Sequence, residues 1–143
     1  MRFAPVSFST ETRQRWSMPR LTIRIDFDDG SALGPGKVRL LELVAETGSI
    51  RRAAAGMKMS YRKAWLLLKA LKEAFGEPLV ETATGGKSGG GARLTRLGRF
   101  VVARYRAMEG AARRAGGPAA EALSSRLRSA TRGKPGLRRR IRA

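Results

Sequence analysis

The sequence predicts a mainly helical α+β fold: an N-terminal strand, helices joined by short turns, a Gly-tipped β-hairpin and a long last helix. Three observations predict it. Residues 21–27, LTIRIDF, alternate apolar and polar side chains with period two. Residues 60–75, SYRKAWLLLKALKEAF, place Ala64, Leu68, Leu71 and Phe75 at helical spacing. Residues 79–82 and 92–95 read as two short strands on either side of TGGKSGGG, an eight-residue run with five glycines.

Taken in order, residues 1–20 show no period, and Met18 stands just before the first structured run, so residues 1–17 read as an extension. In the strand, Leu21, Ile23, Ile25 and Phe27 share one face, and Asp28-Asp29-Gly30-Ser31 supplies a turn. Residues 36–47 form a helix with Val38, Leu41 and Ala45 on its stripe, stopped by Gly48. Ser49 caps a short helix over 50–56, and Ser60 caps the helix that follows. Gly76 and Pro78 end that helix. The last helix spans 95–115, with Leu97, Phe100, Val101, Tyr105, Met108 and Ala112 on an apolar stripe. Gly116-Gly117-Pro118 ends it, leaving a weak helix over 119–130 and the basic tail TRGKPGLRRRIRA. The expected organisation is a flexible segment over 1–19, a folded domain over 20–115 and an Arg-rich, largely disordered tail over 116–143.

Charge and composition narrow the function classes. Thirty basic residues against eleven acidic give a net charge of +19 in a chain of 143 residues. Residues 1–20 contribute +3 and residues 113–143 contribute +9, so the middle carries only +7. A polyanionic partner is the expectation. Charge in the tails raises affinity for any polyanion, and specificity has to come from the folded part. The absence of Cys and His removes thiolate and imidazole metal sites, Cys nucleophiles and the usual general base. The acids are scattered rather than paired. The chain reads as no enzyme, with no catalytic residue, metal ligand or cofactor. No apolar run approaches the length of a membrane span, and the N-terminus lacks the apolar stretch of a signal peptide. A cytoplasmic, nucleoid-associated protein without membrane contact is expected.

Two helices joined by a short Gly-containing turn, the second basic at its N-terminal end, are a helix-turn-helix, and the hairpin after them makes it a winged one. The major groove of B-DNA, about 12 Å wide, admits one helix, whose N-terminal side chains reach the base edges. The candidate DNA contacts are Ser49, Arg51 and Arg52 at the short helix, Ser60, Tyr61, Arg62, Lys63, Trp65 and Lys69 on the recognition helix, and Thr84, Lys87 and Arg93 in the wing. Arg62 suits a bidentate contact with guanine, the lysines suit phosphates, and Trp65 can wedge against sugar or a thymine methyl. Other uses stay open. Tyr61 and Trp65 border the apolar face and suit a core or a dimer contact; Lys63 sits toward the buried side, where it can snorkel; Arg51 and Arg52 equally suit a solvated face. GGKS at residues 85–88 is no nucleotide loop: Glu81 stands where the first Gly is needed, and no helix follows. A wing tip or a plain mobile loop remains.

LGPGKVRLLELVAETGSIRRAAAGMKMSYRKAW, followed by LVETATGGKSGGGARLTRLG, resembles the N-terminal domain of the molybdate-responsive ModE family, whose helix-turn-helix is similar to that of LysR-type regulators. The resemblance covers about residues 20–112. It implies a transcriptional regulator that dimerises through its last helix and binds an inverted repeat. It places recognition on Ser60, Tyr61, Arg62 and Lys63 and the wing on residues 82–93. In LysR-type proteins the third residue after the cap is usually small, whereas here it is Lys63. The family's C-terminal molybdate modules have no counterpart in the roughly thirty Arg-rich residues that follow, so no molybdate binding is expected. The expected partners are double-stranded DNA and a second copy of the chain, with Leu97, Phe100, Val101, Tyr105, Met108 and Ala112 as the dimer face. The competing reading is a nonspecific, tail-driven polyanion binder.

Overall fold

A computed structural model describes residues 19–83 and 91–132, with side chains through residue 127. The expectations for residues 1–18, for Thr84, Lys87 and the rest of the wing tip, and for residues 133–143 lie outside the described residues. Two compact units are present. One runs from Thr22 to Ala111; the other joins the segment up to Leu21 with the segment from Ala112 onward.

The elements are β1 (Ile25–Asp26), β2 (Ala32–Leu33), α1 (Pro35–Thr47), α2 (Ile50–Gly56), α3 (Tyr61–Phe75), β3 (Val80–Ala83), β4 (Gly91–Leu94) and α4 (Arg96–Arg132). They make a mainly helical winged helix-turn-helix with two antiparallel strand pairs. The expected strand over residues 21–27 shrinks to two residues, because a strand exists only where a ladder partner does. Here only Ile25 and Asp26 find partners, in Leu33 and Ala32. The alternation survives: Leu21, Ile23 and Ile25 are half-buried and Thr22, Arg24 and Asp26 exposed. Phe27 is largely exposed and meets Phe75 edge to face at 6.2 Å.

Helix α1 starts at Pro35, whose missing N–H costs nothing at the first helical position. Val38, Leu40, Leu41 and Val44 are all fully buried, a broad stripe along one side of α1. Gly48 closes it with φ of 67°, a left-handed conformation that suits glycine. Its carbonyl then accepts the Ala92 N–H of β4 at 2.8 Å, so the helix-turn-helix and the wing are joined through backbone. On the other side of the wing, Thr95 donates its N–H to the Leu79 carbonyl and accepts the Gly98 N–H on its hydroxyl, capping α4. A Cβ on Gly98 would lie 2.2 Å from the Leu79 oxygen, so this crossing requires glycine.

Two expectations for α4 are corrected. The helix does not stop at Gly116-Gly117-Pro118 but continues to Arg132 with Pro118 inside it, so the helix expected over 119–130 is part of it rather than a separate element. Proline costs one ladder bond, and the two glycines ahead of it carry no Cβ to obstruct a local adjustment. Gly116 lies beside Leu21, within the second unit. The stripe assigned to a dimer face is also divided. Val101 and Tyr105 are buried in the same core as α1, Leu97 packs against that core, and the Tyr105 hydroxyl donates to the Ile23 carbonyl at 2.8 Å. The physical reason is that the core formed by α1 and the first strand is completed by this side of α4. Ala112 is half-buried, while Phe100 is 54% and Met108 43% exposed.

Arg106 ties α4 to α1. Its guanidinium grips Glu42 with two hydrogen bonds, of 2.6 and 2.8 Å, and holds buried Glu109 at 2.8 Å. The Glu42 carboxyl is held below its ordinary pKa, first by this hydrogen bonding from Arg106.

Candidate nucleic-acid interface

The recognition face begins with two caps. The Ser49 hydroxyl accepts the Arg52 N–H at 3.2 Å, and the Ser60 hydroxyl accepts the Lys63 N–H at 3.1 Å. Both serines therefore first serve the helix ends and leave the hydroxyl proton and one lone pair to offer a ligand. Between α2 and α3, Lys58 has φ of 54°, a left-handed conformation for a residue with a side chain. Its exposed ammonium stands in the turn of the helix-turn-helix. Sequence pattern did not single it out; its signal is the short spacing between Gly56 and Ser60, which demands one tight residue.

On α3 the buried face is Ala64 and Leu71, with Leu67, Leu68 and Phe75 half-buried. At about 100° per residue, Arg62, Leu66, Lys69 and Glu73 fall on the opposite arc. All four are exposed. Lys63 is exposed as well. The Arg51 guanidinium lies 5.2 Å from the centroid of the Tyr61 ring, a cation–π contact that brings the start of α2 to the start of α3. Arg52 is exposed beside it. Tyr61, Arg62, Lys63 and Arg51 thus gather at the N-terminal end of α3, where unpaired backbone N–H groups add positive potential.

The remaining candidates lie apart from that cluster. Trp65 is half-exposed on the flank of α3, with the Lys69 ammonium 5.8 Å from its ring centroid. It walls a shallow groove of about 350 Å³ with Pro78 and Val80. Lys69 also lies 3.9 Å from Glu73. Arg93 pairs with Glu81 at 3.2 Å across the wing, where the two residues are directly opposite. Each of these cations shares its charge with an acid, so each is a weaker anchor for phosphate than Arg62 or Lys63. Among the described residues no group of acids or other ligands is arranged to hold a metal ion.

Residues 36–99 match the bacterial regulatory helix-turn-helix proteins of the lysR family. Among curated proteins, the molybdenum transport protein ModE of Azotobacter vinelandii is 45% identical over 85 residues, 59% of this chain and 32% of that protein. The transcriptional regulator ModE of Haemophilus influenzae is 36% identical over 89 residues, 62% of this chain and 35% of that one. The DNA-binding transcriptional dual regulator ModE of Escherichia coli is 41% identical over 71 residues, 50% of this chain and 27% of that one. The chain spans about a third of the length of the curated relatives it matches. A solved structure titled "Crystal structure of CbnR_DBD-DNA complex" is similar at a TM-score of 0.49 and 24% identity, over 62% of this chain and 95% of that chain. Residues 36–99 thus match the lysR-type helix-turn-helix, and over that segment the chain is similar to the ModE regulators.

Proposed function

We propose that the chain is a sequence-specific, DNA-binding transcriptional regulator that acts as a homodimer on an inverted repeat. Helix α3 enters the major groove by its N-terminal end, and the wing lies on the backbone or the minor groove. The observation that carries this reading is the exposed cluster of Arg51, Tyr61, Arg62 and Lys63 on the side of the helix-turn-helix away from its core. Arg62 reads a base, Lys63 and Arg52 neutralise phosphates, and Trp65 rests against sugar. The protein would act in the cytoplasm, where the chromosome is; among the described residues no helix is long and apolar enough to cross a membrane.

The dimer reading rests on what α4 leaves in solvent after Val101 and Tyr105 have joined the core. Phe100 and Met108, two turns apart, remain exposed. A two-fold dimer sets the two recognition helices roughly 34 Å apart, one turn of DNA. Sedimentation at micromolar concentration is expected to give a dimer; a monomer, with DNA bound at one half-site only, would remove the two-fold arrangement.

The net charge of +19 favours a second reading, nonspecific binding driven by the basic segments. The two differ in how affinity responds to salt and sequence. If charge alone binds, operator and scrambled duplex weaken together and steeply as salt rises. For a base-reading protein the operator keeps an advantage of about a thousandfold or more.

A further inference from the structure

The middle of the face that α3 presents to solvent carries a leucine. Leu66 is 47% exposed and is absent from the partly buried side chains that pack on the core. It follows Arg62 by one helical turn on the same arc, opposite Ala64 and Leu71. The half of the leucine left in water adds nothing to folding, whereas covering it against an apolar surface releases free energy in proportion to the area removed from water. Arg62, Lys63 and Lys69 surround it, so the surface that covers it belongs to a polyanion rather than to an apolar protein patch. On the base edges of the major groove the one apolar group is the C5 methyl of thymine. The rise from Arg62 to Leu66 is about 6 Å, less than two base-pair steps.

We propose that Leu66 is a specificity-determining residue that packs on a thymine 5-methyl within one or two base pairs of the base read by Arg62. The proposal rests on the DNA-binding reading above and adds a base preference to it. A sequence with deoxyuridine at that position offers the same phosphates and the same hydrogen-bonding edge but no methyl.

The test uses the full chain and its selected operator, with each half-site thymine replaced in turn by deoxyuridine, which removes the methyl and nothing else. One position per half-site is expected to weaken binding by about fourfold, the value of one buried methyl. Leu66→Ala should bind the thymine operator more weakly and bind thymine and deoxyuridine versions alike, with an unchanged melting temperature, since the side chain is solvated. Equal binding of thymine and deoxyuridine at every position overturns the proposal. So does an alanine variant that keeps the parent's thymine preference, or an operator without a half-site thymine. A library that yields no enriched motif removes base reading itself, a result distinct from an operator indifferent to the methyl.

Discussion

Replacing Arg62 with alanine is expected to cost about 1–3 kcal/mol of affinity for the operator, roughly 5- to 150-fold, with little change for a scrambled duplex. The asymmetry follows from the kind of contact. A guanidinium fork reaching two acceptors on one base carries sequence information, while Arg51, Arg52 and Lys63 remain beside it as exposed cations for phosphate. Arg62→Lys keeps the charge but loses the fork, so it should bind scrambled DNA as the parent does and still lose most of the discrimination. Because Arg62 is exposed and carries no cap or core contact, both variants should melt with the parent. Fluorescence anisotropy on the two duplexes, with a thermal melt beside it, checks all three statements. Equal losses on operator and scrambled duplex would reduce Arg62 to a phosphate contact.

Tyr105→Ala is expected to be the most damaging single substitution for the fold. Tyr105 is the largest of the fully buried side chains, and its hydroxyl satisfies the Ile23 carbonyl from 82 positions away. Emptying an aromatic site in a core costs about 3–5 kcal/mol, a large share of the 5–15 kcal/mol that holds a domain together. At about 4–8 °C per kcal/mol for a domain of this size, the melting midpoint should fall by more than about 12 °C. Tyr105→Phe, which leaves the ring and orphans the carbonyl, should cost about 1–3 kcal/mol. The pair of variants also separates the two uses of the stripe on α4. A residue buried within one chain lowers stability at every protein concentration, whereas a residue at a dimer contact changes only the concentration dependence. An alanine variant that melts like the parent but dissociates would move Tyr105 to the subunit interface.

The parts of this fold that were legible in the sequence are those fixed by neighbouring residues. Gly48 and Gly76 stop α1 and α3 in the left-handed conformation, and the Ser49 and Ser60 hydroxyls cap α2 and α3 by accepting the backbone N–H three residues on. Each is local chemistry that a short window contains. The hairpin was legible for the same reason, with its strands at Val80–Ala83 and Gly91–Leu94, one residue from the expected bounds. What escaped depends on partners far along the chain. The grip of Arg106 on Glu42 spans 64 positions, and nothing in the periodicity of α4 announces it. Tyr105 and Phe100 both read as apolar stripe, and only the packing of α1 decides which is buried. The helix through Pro118 escaped because proline and glycine report a local cost without reporting what surrounds them. At the interface, the basic N-terminal end of α3 was visible in the string SYRK, while the meaning of exposed Leu66 depends on knowing that no core residue covers it.

The most direct test of a base-reading regulator is selection of bound fragments from a genomic or random DNA library by the full chain at about 150 mM salt, where phosphate contacts alone bind weakly. The expected result is one enriched inverted repeat, with half-sites about 10 base pairs apart from centre to centre and a motif that Arg62→Ala erases. Tight binding with no enriched motif would contradict it and leave α3 as a basic surface that reads no bases.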